Sequence, residues 1–219
     1  MFKRIFHLFK IARKLAASGA IKTINEIYDV PILISLFFEV ISLGSKQKII
    51  NNSKQPGEKL CDALSGMGTT FIKLEQFLAT RPDIIGEKLA NDLVKLQDKL
   101  DPFDMNNAKN IIRAELGDNQ FKNITNLSEP IAAASIAQVH TANINVDGQI
   151  KEVAIKILRP NIEKLFNEEL DALMLLAYIV ENIISKTKRL KLVEVVHLLK
   201  EITNIEMDLR FEAAAANEL

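Results

Sequence analysis

The chain has 219 residues, 48% of them hydrophobic, and its 28 basic and 28 acidic side chains leave no formal net charge. That length and apolar content can bury a core as one domain, or as one domain with an extension, and the balanced charge argues against wholesale nucleic-acid binding. The single cysteine, Cys61, rules out an intramolecular disulfide, and His7, His140 and His197 show no metal-ligand spacing.

In chain order, Phe2, Ile5, Phe6, Phe9, Ala12, Leu15 and Ala16 recur at helical spacing. Lys3, Arg4, Lys10, Arg13, Lys14 and Lys22 all precede the first acid, Glu26. A basic amphipathic helix of this kind either docks its stripe on the protein body or lies on an anionic membrane surface. Docking is the commoner fate of an apolar stripe. No stretch reaches the ~18–20 uninterrupted apolar residues of a spanning helix, the nearest being interrupted by Glu39, so no transmembrane helix is expected. Lys10, Arg13 and Lys14 break the apolar run that a secretory signal needs.

Residues 45–58 are polar, contain Pro56-Gly57 and read as a linker. Glu58 to Phe77 reads as one helix across Gly66 and Gly68. Pro82-Asp83 breaks it, and a second helix runs from Ile84 to Leu100. Asp101-Pro102 ends that helix, and Asp104 is an N-cap for one reaching Leu116, closed by Gly117. Beyond Phe121 the pattern shortens to strands near Ile124, over 135–145 and over 149–158, with a hairpin turn at Val146-Asp147-Gly148. Pro160 and Asn161 open a helix with apolar positions Ile162, Leu165, Phe166, Leu170, Leu173, Met174, Ala177 and Val180. A last helix runs from about Leu192 to Leu219. Helices, then a small antiparallel sheet, then helices make an α+β fold and not an alternating βαβ one.

Two segments carry the chemistry. Ala132-Ala-Ala-Ser135 precedes a strand and offers main-chain N–H groups with little side chain in the way, which suits the approach of phosphate. Alanine closes most of positive φ space, so this loop is stiffer than a Gly-rich one. In Val153-Ala-Ile-Lys156-Ile-Leu, a lysine stands among aliphatic neighbours; it needs an anionic partner if buried, or snorkels to solvent if not. The sequence holds no Gly-x-Gly-x-x-Gly and no P-loop, which removes the Rossmann and P-loop readings. It also holds no His-Arg-Asp-like loop and no Asp-Phe-Gly-like metal motif.

With these segments, Lys73-x-Glu75-Gln76, Thr80-Arg-Pro-Asp83, Lys95-Leu-Gln-Asp98 and Glu206-Met-Asp208-Leu-Arg-Phe-Glu212 make the chain resemble the UbiB/ABC1 (AarF) family of atypical protein-kinase-like proteins. The resemblance starts near Ile21 and departs from the family's Lys-x-Gly-Gln motif at Glu75. It implies a kinase-like N-lobe with an N-terminal helical extension and no C-lobe. The division is 1–44 as a helical segment, 45–58 as linker, 59–118 as helical extension and 119–219 as N-lobe. ATP would be bound by Ile131, Ala132, Ala133, Ala134, Ser135, Ile136, Ala137, Gln138, Val139 and Lys156. Lys156 would pair with Glu206, and Glu212 would partner the motif of Lys73 and Gln76. No catalytic or metal-binding residue is expected in this chain, so Mg would accompany ATP without ligands here.

The implied setting is ubiquinone biosynthesis, peripheral on the cytoplasmic side of the bacterial inner membrane. Its implied partners are an anionic membrane surface, ubiquinone-biosynthesis proteins or a separate C-lobe chain. The chain would then be truncated and inactive alone. The alternatives are a noncatalytic module binding nucleotide, lipid or partner, and a decayed gene remnant. At Glu75 a close-packed site predicts overpacking and an unpaired charge, whereas an exposed site predicts a favourable helix residue; the close-packed defect is the expectation, with Glu75→Gly raising the melting temperature or restoring weak nucleotide binding.

Overall fold

The computed structural model describes residues 2–27, 32–42, 55–94, 100–146, 148–183 and 185–218. The chain divides into two compact units, one of residues 1–97 with 164–205 and one of residues 98–163 with 206–219.

The first unit is helical. Helices α1 (Phe2–Ser18), α2 (Ala20–Ile27) and α3 (Ile32–Ser42) are followed by α4 (Pro56–Ser65), α5 (Thr69–Ala79), α6 (Pro82–Ile85) and α7 (Glu87–Val94). The amphipathic α1 packs on α2, α3 and α4, burying Ile11, Ala12 and Leu15. Docking therefore accounts for its middle turns, while Phe6 and Phe9 remain 66% and 50% exposed. Lys14 is drawn inward, donating from Nζ to Glu169 Oε1 at 3.2 Å and to the Met67 carbonyl at 3.1 Å.

The expected linker ends earlier than residue 58; residues 45–54 lie outside the described residues. Pro56 occupies the first helical position of α4, where a missing N–H costs nothing, and Gln55 N–H donates to Glu58 Oε2 at 3.1 Å. Gly57 is a packing residue, because a Cβ there would lie 2.2 Å from Asp92 Cβ on α7. The helix expected from Glu58 to Phe77 is in fact two: α4 stops at Ser65, capped by Gly66, and Gly68 at φ +117° is the N-cap from which α5 starts. The helix expected from Ile84 is likewise divided at Gly86 between α6 and α7, and residues 95–99 lie outside the described residues.

In the second unit, α8 (Met105–Phe121) precedes strands β1 (Ile124–Thr125), β2 (Ala132–Ala133), β3 (Ala137–Val146) and β4 (Gln149–Leu158). Asp104 caps α8 as expected, accepting from the N–H groups of Asn106 and Asn107 at 2.9 and 3.1 Å. Gly117 leaves helical geometry, but a further turn carries α8 on to Phe121. β3 is the hub of the sheet, pairing antiparallel with β1, β2 and β4. Ala108 and Ile112 of α8 form its core with Ile157, joined by Ile155, Phe103 and Phe121. The helix that the sequence division gave to the extension thus belongs with the sheet.

Two helices follow, α9 (Ile162–Ile183) and α10 (Leu192–Met207), joined by a 3-10 turn at Ser185–Leu190. They are tied by Lys200 Nζ to Asp171 Oδ1 at 2.8 Å and by Val193 N–H to Glu181 Oε2 at 3.1 Å. Most of their length clusters with the first unit and not with the sheet. The expected last helix is two: α10 stops at Met207, and α11 (Leu209–Asn217) begins after Asp208.

Candidate nucleotide site

The register of the sheet organises the site. Ala132 pairs with Val139 across β2 and β3, and Val139 pairs with Lys156 across β3 and β4. Directly paired residues project to one face, so the Ala-rich loop and Lys156 share a rung. Ile155 and Ile157 alternate to the face packed by α8. The loop closes tightly: Ile131 N–H donates to the Val139 carbonyl and Ala134 N–H to the Ala137 carbonyl, both at 2.8 Å. Ile131, Ala132 and Ala134 are exposed, and Ala133 and Val139 half-buried. Ser135, Ile136, Ala137 and Gln138 are buried, so their side chains serve the fold.

Lys156 is not deeply buried. Its Nζ lies 2.5 Å from Glu212 Oε2, with side chains 35% and 59% exposed. This corrects the expected pairing with Glu206: the acid on Lys156 comes from α11, and Glu206 stands exposed at the end of α10. Lys73 and Gln76 are half-buried on α5.

Glu75 fits neither alternative drawn from sequence. It is 4% exposed, yet its carboxyl oxygens accept from Cys61 Sγ at 2.7 Å and Ser65 Oγ at 3.2 Å. Burial, reinforced by the Glu75 hydrogen bond, pushes the Cys61 thiol up to about 12.

Sequence reasoning missed Arg159. Its guanidinium donates to the Ala134 and Asp101 carbonyls. An arginine directly before Pro160, where a strand must stop, was the available signal. Among the described residues no group of three or more His, Cys, Asp or Glu side chains could hold a metal ion.

A small antiparallel sheet that sets a small-residue loop beside a lysine paired with a helix glutamate defines a protein-kinase-like N-lobe. The ABC1 atypical kinase-like domain matches residues 95–219, more than half of the chain, and the chain belongs to that family. It is 35% identical over 222 residues to a probable protein kinase UbiB of Vibrio atlanticus, covering 99% of this chain and 38% of that protein. It is 39% identical over 164 residues to that of Marinobacter nauticus, covering 74% of this chain and 29% of the relative. The figures for that of Aliivibrio fischeri are 38% over 169 residues, 76% and 30%. The chain thus spans well under half the length of these curated relatives. No solved structure matches it.

Proposed function

We propose that the chain is the N-terminal part of a UbiB-like atypical kinase or ATPase, whose Ala-rich loop and Lys156 bind ATP in support of ubiquinone biosynthesis. The observation that carries this reading is the rung of Ala132, Val139 and Lys156, with Glu212 on the lysine. The loop main chain cradles phosphate, and Glu212 holds the ammonium group near the position it would occupy beside phosphate oxygens. The 219-residue chain binds nucleotide and does not turn it over, because its sequence carries neither catalytic-loop nor metal-binding motif. Hydrolysis belongs to a C-lobe, and magnesium would find its carboxylates there.

The same reading makes the chain peripheral on the cytoplasmic side of the bacterial inner membrane. The exposed Phe6, Phe9 and Lys10 of α1 support this, and no helix among the described residues is long and apolar enough to cross a membrane.

Titration with a fluorescent ATP analogue tests the proposal, alongside steady-state hydrolysis. Saturable binding that Lys156→Ala weakens at least ~10-fold is expected, since charge-assisted bonds to phosphate are lost. Binding indifferent to Lys156→Ala, or turnover by the wild-type chain, would refute it.

A further inference from the structure

Arg159 leaves the end of β4, and its bonds converge on the Ala-rich loop. Nε and Nη2 donate to the Ala134 carbonyl at 3.0 and 2.9 Å, and Nη2 also donates to the Asp101 carbonyl at 3.1 Å. Its main-chain N–H donates to the Ile136 carbonyl at 2.8 Å. One residue therefore holds two carbonyls of the 134–137 turn and ties that turn to the lead-in of α8. Bracketing one carbonyl with two N–H groups while reaching a second needs the planar guanidinium fork; a lysine ammonium cannot reproduce it. Partial burial pulls the pKa of this guanidinium below its ordinary value, with Asp101 opposing, so holding the charge here carries an electrostatic cost.

A second tie reaches the same lead-in from the other end of the loop. Gln138 is 0% exposed; its Oε1 accepts from Phe103 N–H at 2.9 Å and its Nε2 donates to the Phe103 carbonyl at 3.3 Å. Gln138 Nε2 also lies 2.9 Å from His140 Nε2, and His140 Nδ1 lies 2.8 Å from the Ser128 carbonyl. One neutral tautomer satisfies both contacts: Nδ1–H donates to Ser128 while Nε2 accepts from Gln138. The loop is thus fixed near 128, near 138 and at its turn, and the turn is held by the half-buried Arg159 side chain.

We propose that Arg159 is the positioning residue of the Ala-rich loop, and that nucleotide affinity depends on the turn it holds. The affinity half rests on the reading of this loop as the nucleotide loop. Arg159→Lys and Arg159→Ala in the full 219-residue chain test both halves. Amide exchange followed by NMR at Ile131 and Ala134 reads the turn directly, because both amides donate within the loop. Titration with the fluorescent ATP analogue reads its consequence.

In both variants, exchange at Ile131 and Ala134 should rise on the order of 10-fold while Ala108 and Ile112 of α8 keep wild-type protection. Analogue affinity should fall by a similar factor. Unchanged exchange at Ile131 and Ala134, or an equal rise in α8, overturns the brace. A loosened turn with unchanged affinity overturns the positioning role. If the wild-type chain binds no analogue, the nucleotide reading falls and the affinity half with it, while exchange still decides the brace.

Discussion

Glu75→Gly separates a tolerated buried acid from a damaging one. The wild-type carboxyl group is 4% exposed and accepts from Cys61 and Ser65 at 2.7 and 3.2 Å. Exchanging Glu for Gly inside α5 costs about 0.5–1 kcal/mol in helix propensity. Each lost hydrogen bond adds roughly 1 kcal/mol, less for the thiol because S–H is a weak donor. The vacated volume adds about 1 kcal/mol more. Together these predict a loss of about 3 kcal/mol, or roughly 6–12 °C in Tm for a chain of this length. An unpaired, overpacked acid would give the opposite sign. A thermal melt decides, and a Tm that rises or stays put refutes the satisfied-acid account. Cys61 supplies a second readout. With its thiol pushed up to about 12, it is almost wholly protonated at pH 8 and should resist alkylation. Glu75→Gln keeps the side-chain volume and removes the acid, so alkylation of Cys61 should quicken. Because the folded pKa is raised, the stability linked to this thiol is full below its ordinary value of 9.0 and is lost as pH climbs towards 12.

Lys156→Met and Glu212→Gln should couple by about 0.5 kcal/mol in denaturant unfolding, a small value because solvent screens a pair this exposed. Lys156→Met and Glu206→Gln should simply add; the reverse pattern would restore Glu206 as the partner. Gly57→Ala should lower stability by about 1–3 kcal/mol, since its Cβ would lie 2.2 Å from Asp92 Cβ, and an unchanged midpoint would contradict that close approach. Sedimentation with anionic vesicles should weaken at high salt, each exposed cation adding about 1 kcal/mol of attraction, and should weaken again on Phe9→Asp. Equal binding to neutral vesicles would count against the membrane reading.

What could be read from the sequence was local and periodic. The β3–β4 hairpin follows from alternation around Gly148, and Asp104 announced α8 because a cap needs only the residues beside it. What escaped depends on a neighbour far along the chain. Pro56-Gly57 has the composition of a turn, yet Gly57 is there to let α7 approach. Gly68 looked tolerable inside a helix because its φ of +117° cannot be inferred from type alone. Glu75 looked anomalous until Cys61 and Ser65, on the preceding helix, came into reach. Arg159 offered only its place before Pro160 as a signal, because its acceptors are main-chain carbonyls, which every residue carries.

The resemblance assigns Glu206 to Lys156, but Lys156 meets Glu212, and the break at Asp208 lies between the two acids. The Asp208 carboxyl group accepts from Arg210 N–H at 3.1 Å and from Arg210 Nε and Nη2 at 2.7 and 2.6 Å. Those bonds to Arg210 hold its pKa below the usual carboxylate value. α10 therefore stops at Met207, α11 restarts at Leu209, and Glu212 falls in the first turn of α11, where the helix dipole favours an acid. Asp208 thus acts through helix geometry, placing Glu212 against Lys156. The ion pair itself contributes little to stability at this exposure. Its effect lies in where it holds the Lys156 ammonium, on the rung that continues through Val139 to Ala132. The cap at Asp208 fixes the acid, the acid fixes the cation, and Arg159 fixes the loop beside it.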